Sequence, residues 1–120
     1  MRVQSAKQKG RRLQQYVRDK IYEYFPSLRS GDVRSTPMGV SGSDIMLSPA
    51  ARDVFNFDVE CKNVEKLNVW KAIEQAESNR DNEFNSEPIV IISRNKAKKY
   101  VVVELDYFMK IHKESIDAKS

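Results

Sequence analysis

The stretch FNFDVECKNVEK, residues 55–66, decides how the rest of the chain is read. From Phe57 to Lys62, apolar and charged residues alternate, with Phe57, Val59 and Cys61 set against Asp58, Glu60 and Lys62. A period of two belongs to a β-strand, whose successive side chains point to opposite faces. The apolar set is expected to face a core. Glu60 and Lys62 are expected to emerge side by side on the outward face. A carboxylate and an ammonium two apart on a strand are often a solvated pair that adds little stability. They gain a chemical sense only if further polar groups converge on them.

Downstream, residues 67–79 read as a helix with Val69, Ala72, Ile73 and Ala76 on its apolar face and Lys71 and Gln75 turned away. DNEFNSE, residues 81–87, reads as a loop. PIVIIS, residues 88–93, is an almost unbroken apolar strand of the kind covered on both faces. The basic turn RNKAKK, residues 94–99, leads into YVVVEL, residues 100–105, as its hairpin partner. A short helix, DYFMKIHKE at 106–114, closes the chain with Asp106 as its cap, and the tail beyond Ser115 is expected to fray.

Upstream, QKGRRLQQYVRDKIYEYF at 8–25 carries Leu13, Val17, Ile21 and Tyr24 at helical spacing, with Arg11, Gln14, Gln15 and Arg18 opposite, until Pro26 ends the helix. Strands are expected at 32–35 and 43–47, separated by a Gly/Ser/Pro-rich loop; Ser48 and Pro49 then open a short helical turn. The order points to a single α/β domain over residues 1–120, its core at about 8–115, with a central mixed five-stranded sheet flanked by helices.

The net charge is +4 and the isoelectric point about 9.2, which permits a polyanionic partner. Lys7, Lys9, Arg11, Arg12, Arg18 and Lys20 crowd one stretch, and Arg94, Lys96, Lys98 and Lys99 another. Basic patches of this kind are as often plain solvated surface. No apolar run reaches the length of a membrane span, and the basic start lacks the apolar segment of a secretory signal. Cys61, the only cysteine, excludes an internal disulfide, fits a reducing cytosol and reads as inward packing. His112, the only histidine, lies far from Asp44 in sequence and there is no cysteine or histidine cluster, so zinc is not expected.

Asp44 changes the reading of the 57–62 strand. In SGSDIMLS, residues 41–48, Ile45 and Leu47 take the apolar positions, so Asp44 faces the other way. If this segment pairs with 57–62, Asp44 comes beside Glu60 and Lys62 next to a Gly-rich loop. Two carboxylates suit Mg²⁺, and the Cys61 backbone carbonyl offers a third oxygen. Lys62 could then hold or polarise an attacking water and offset charge on a phosphorane-like transition state. Metal-assisted hydrolysis of a phosphodiester is the reaction such parts serve.

The spacing Asp44-x(15)-Glu60-x-Lys62 resembles the PD-(D/E)XK nuclease superfamily. QKGRRLQ at 8–14, DVRSTPMGVSGSD at 32–44 and VECKN at 59–63, in that order, are similar to the archaeal-type Holliday junction resolvases and their small viral relatives. The resemblance covers about residues 8–105 and implies a restriction-endonuclease-like fold. It also implies Mg²⁺ as cofactor, with Mn²⁺ substituting, a homodimer, and branched double-stranded DNA as partner, with neither a membrane nor a small-molecule cofactor involved. It makes Asp44 and Glu60 the metal ligands and Lys62 the catalytic lysine. Arg34 and Ser35 match a loop that approaches the scissile phosphate, and Lys9 and Gly10 match the start of a helix that follows the DNA backbone.

One position departs from that pattern. Where those enzymes place a glutamate five residues after the helix lysine, this chain has Gln14, a poorer ligand, which bears on a second metal site. Arg11, Arg12, Lys71, Arg94 and Lys96 are the further candidate DNA contacts. The expected function is therefore resolution of four-way junctions, in the cytoplasm and, for a viral protein, in that of its host. The alternatives are another nuclease of the same superfamily acting on nicked, flapped or linear DNA, and a non-catalytic DNA-binding module. Trp70 and Leu67, on a flank of the 67–79 helix, are as readily a dimer contact as packing under a loop.

Overall fold

The structure is a computed structural model and describes residues 5–120. Helix α1, Ala6–Tyr24, starts at Ser5, whose hydroxyl accepts the Gln8 N–H while the Gln8 side chain accepts the Ser5 N–H. This reciprocal cap satisfies two of the donors a helix start leaves open. Leu13, Val17 and Ile21 are buried, as their spacing requires, whereas Tyr24 is exposed.

Strands β1, Val33–Ser35, and β2, Ile45–Leu47, pair antiparallel with Ser35 opposite Ile45. Helix α2, Pro49–Val54, follows, capped by Ser48 with Pro49 in its first turn. Strand β3, Phe57–Asn63, pairs in parallel with β4, Glu87–Ser93, which pairs antiparallel with β5, Tyr100–Val102. Helix α3, Val69–Ser78, makes the β3–β4 crossover, and a 3₁₀ turn at Asn82–Phe84 interrupts the expected loop. Helix α4, Leu105–Asp117, ends the chain.

The strands form two sheets, β1–β2 and β3–β4–β5, instead of the single five-stranded sheet expected. The break falls where β2 meets β3. The Cys61 N–H, which a ladder would give to a backbone carbonyl, is taken by the Asp44 carboxylate. A short polar side chain that bonds a backbone donor competes with the sheet, and here it stops the ladder after one backbone bond.

The three-stranded sheet is covered on both faces. On one, Val59, Cys61, Ile89 and Ile91 pack with Leu13, Val17 and Ile21 of α1 and with Val33 and Ile45. On the other, Ala72 and Ala76 of α3 pack on Val90. The expectation that Glu60 faces outward beside Lys62 is therefore corrected: Glu60 is only 4% exposed, and Asp58 on the same face 2%, while Lys62 stays partly exposed. The small alanines let α3 lie close, and the chain after it folds over both acids. At the C-terminus, Glu104 and not Asp106 caps α4, its carboxylate accepting the Tyr107 N–H, and the helix persists to Asp117, past the point where fraying was expected. Among the described residues no helix is long and apolar enough to cross a membrane.

Candidate active site

Asp44 is held by its backbone on two sides. Its N–H donates to the Val59 carbonyl at 2.8 Å, and its carbonyl accepts the Thr36 N–H at 2.9 Å. Its Oδ2 accepts the Cys61 N–H at 2.7 Å. The approach to Asp44 needs Gly42 at φ +104°, a conformation that side-chain-bearing residues rarely adopt. Within a strand a residue's N–H and C=O leave on the same edge, so the Cys61 carbonyl also points to the Asp44 side of β3.

Glu60 comes from the middle of β3, near enough to Asp44 for the two carboxyls to act on one another. Its Oε2 accepts from Asn79 Nδ2 at 3.2 Å, and its Oε1 lies 3.7 Å from Lys62 Nζ. Burial holds both carboxyls above the usual carboxylate range, more than the Cys61 N–H and Lys62 offset for Asp44. For Glu60 the neighbouring Asp44 charge adds to burial. Neighbouring carboxyls of this kind resist ionising together. Burial with these two charges also pushes the Cys61 thiol far up, so it stays protonated and is no nucleophile.

The donor chemistry fits a hard divalent cation. Asp44, Glu60 and the Cys61 carbonyl supply oxygens only, and one ammonium stands against two carboxylates, so the ionised site is a net anion. The described residues hold no group of three or more histidine, cysteine or acidic side chains suited to a metal, so any ion here would rest on two carboxylates.

Gln14 and Ser35 also come together: the Ser35 hydroxyl donates to Gln14 Oε1 at 2.6 Å. Ser35 precedes Thr36, whose N–H bonds Asp44, so α1 is tied to the acid pair through β1. Arg11, Gln14 and Ser35 line a shallow cleft of about 310 Å³ there. Asn63 Nδ2 donates to the Lys9 carbonyl at 3.4 Å, which brings the basic start of α1 to the C-terminal end of β3. The parallel register sets Lys62 beside Ile92 and Asn63 beside Ser93, so the turn carrying Arg94 and Lys96 leaves the sheet at the same end. Arg11, Arg12, Arg34, Lys71, Arg94 and Lys96 are exposed, with Arg34 on β1 and Lys71 in the first turn of α3.

Two features had no place in the sequence reading. Asn79, the C-cap of α3, bonds Glu60 directly. Asp58, one turn of the strand pleat below Glu60, accepts from Arg52 Nη2 at 3.1 Å, from the Asp81 N–H at 2.8 Å and from the Ser86 hydroxyl. The Arg52 guanidinium also lies 4.1 Å from the centre of the Phe84 ring. Asp58 thereby pins the segment that presents Asn79. An asparagine after an apolar helical run is a known terminator, which was the available signal.

No known protein family, curated protein or solved structure matches this chain.

Proposed function

We propose that the chain is a divalent-metal-dependent DNA endonuclease on a restriction-endonuclease-like scaffold, acting on branched duplexes and above all on four-way junctions. The observation that carries this reading is the acid pair, Asp44 with Glu60, beside Lys62 at the basic end of the sheet. The choice of junctions rests on the sequence resemblance and on the paired cuts that two copies about a twofold axis would make.

Asp44, Glu60 and the Cys61 carbonyl would hold Mg²⁺, or Mn²⁺ in its place. When bound, the ion supplies the Lewis-acid charge that lowers the barrier to attack on a phosphodiester. Lys62, partly exposed and beside Glu60, offers its ammonium to the attacking water and to the charge that builds on the phosphate oxygens. Asn79 keeps one Glu60 oxygen occupied so that the other faces Lys62. Metal ligands must be deprotonated, and both carboxyls sit above their ordinary range, so affinity would rise with pH. Lys9, Arg11, Arg94 and Lys96 would neutralise phosphates without reading bases.

The decisive experiment compares cleavage of a four-way junction, linear duplex, single strand and flaps in Mg²⁺, with Asp44→Asn as control. Preferential junction cleavage, lost by at least about a thousandfold in Asp44→Asn and in Lys62→Ala while DNA binding persists, is the expected result. Cleavage undiminished in either variant overturns the site. A non-catalytic DNA-binding module is the second reading. It is favoured by Gln14, a neutral amide already engaged by Ser35, and it predicts tight binding with no product on any of these substrates.

A further inference from the structure

Helix α1 carries a second pattern beside its buried stripe. Lys9, Arg12, Tyr16, Lys20 and Tyr24 recur at i, i+3, i+7, i+11 and i+15, so basic and aromatic side chains interleave along one line of the helix. Tyr24, expected in the core from its spacing, is 72% exposed, and Tyr16 is 42% exposed.

Strand β5 stands across from this line. It is the outer strand of its sheet, and the cover that α1 gives the sheet stops short of it. Cys61, Ile91 and Val101 lie side by side on three strands; the first two are buried under α1, whereas Val101 is 56% exposed. An open cleft of about 560 Å³ remains between α1 and β5. Its floor is apolar, with Ile21, Phe25, Phe55 and Ile91. Tyr16, Lys20 and Tyr24 line it from α1, and Lys99, Tyr100 and Val101 from the side of β5. Three of the chain's five tyrosines thus meet at one place.

The cations rest on the rings. Lys99 Nζ is 4.6 Å from the centre of the Tyr16 ring. Lys20 Nζ is 5.7 Å from the same centre and 6.0 Å from that of Tyr24. No acidic side chain lines the cleft, although Lys20 also bonds Glu23 at 3.1 Å.

We propose that this cleft binds single-stranded nucleic acid, with unstacked bases on Tyr16 and Tyr24 and phosphates at Lys20 and Lys99. The two rings are about 12 Å apart along the helix axis, so each serves its own base. Every base has a π-face and every linkage a charge, so such a track is indifferent to sequence. An exposed cation–π contact is weaker than the stacking of a base on the same ring. An arriving base therefore displaces the ammonium, which turns to the phosphate. A duplex keeps its bases stacked on one another and offers the rings nothing. An acyl chain or an apolar peptide would use the floor, but Ile21 and Ile91 are already buried, and the open surface belongs to the rings. The cleft needs neither the acid pair nor a metal, so the inference stands apart from the hydrolytic reading.

The test is fluorescence anisotropy of labelled short oligodeoxythymidine and oligouridine with the full chain, beside a blunt duplex of equal length. EDTA is present throughout, so no cleavage intervenes. Binding of either single strand at micromolar concentration is expected. Tyr16→Leu and Tyr24→Leu should each weaken it by about tenfold and leave the duplex unaffected, whereas Tyr16→Phe, which keeps the ring, should retain it. Lys99→Gln should lower the log–log salt slope for the strand by about 0.7. Tyr16, Tyr24 and Lys99 are exposed, so the fold of each variant survives. Absence of binding to both strands overturns the proposal, as does strand binding that persists when both tyrosines are replaced by leucine. Equal loss of duplex and strand binding in the leucine variants also overturns it, since the cleft would then be part of the basic rim.

Discussion

At the scale of the residue, the chemistry lies in how two carboxyls are kept above their ordinary range. Burial is the larger cause for both, and the Asp44 charge adds to it for Glu60. A carboxyl whose folded pKa is raised binds its proton more tightly in the native state than in the unfolded chain. Its contribution to stability is full below the unfolded pKa and is lost as pH rises through the folded one. The metal-free protein is therefore expected to lose stability as pH rises above the ordinary carboxylate range. Asp44→Asn keeps an acceptor for the Cys61 N–H and removes one of the two charges. It should be more stable than the wild type at pH 8 by about 1–2 kcal/mol and nearly equal at pH 4, as read by urea denaturation. Millimolar Mg²⁺ should reverse the ranking at pH 8 by stabilising the wild type alone. A variant less stable than the wild type at pH 8 without metal would show that the pair is not strained by charge.

At the scale of the element, much was legible and some was not. The 3.6-residue stripe of α1, the apolar run of β4 and the Ser48–Pro49 start of α2 each fixed their element, because local pattern and tertiary burial agree there. Strand β3 was readable as a strand, but its outward face was not. Alternation shows which side chains share a face and does not show what covers it, and Asp58 and Glu60 are covered by α3 and the segment after it. The strands divide into two sheets for a related reason. Whether β2 joins β3 turns on one side chain, Asp44, bonding a backbone N–H, and no periodicity encodes that. Asp44, Glu60 and Lys62 are candidates from spacing and resemblance, whereas Asn79 enters only with the geometry. Its contribution belongs to the end of α3, since it acts on Glu60 from the C-cap. Asn79→Ala is expected to weaken Mn²⁺ binding by about three- to tenfold, measured by electron paramagnetic resonance, by removing a bond to a charged acceptor. Asn79→Gln, with its amide displaced by one methylene, should recover only part of the loss. Unaltered Mn²⁺ affinity in Asn79→Ala would reduce the residue to a helix terminator.

At the scale of the whole molecule, the sheet has a polarity of charge. The parallel pairing of β3 and β4 sends the 94–99 turn out beside Lys62, and the Asn63–Lys9 contact brings the basic start of α1 to the same end. Cations more than eighty residues apart in sequence thus share one rim, which their two clusters along the chain only hint at. If that rim holds DNA, binding should weaken steeply with salt, with a slope near −0.9 in the log–log plot for each phosphate neutralised. Arg94→Ala and Lys96→Ala should each lower the slope by about one, with little change in preference among substrates of equal length. A slope near zero would make the basic patches incidental. The molecule, 54 × 32 × 27 Å, is elongated for its length.

The bond that interrupts the sheet also makes a reporter. The Cys61 amide proton is held by Asp44 Oδ2 and by no neighbouring strand. Any event that draws that oxygen away, whether protonation or capture of a cation, releases a single backbone proton at a known address. Its nuclear magnetic resonance frequency and its rate of exchange with deuterium should therefore follow the state of the carboxylate directly, before any substrate is turned over.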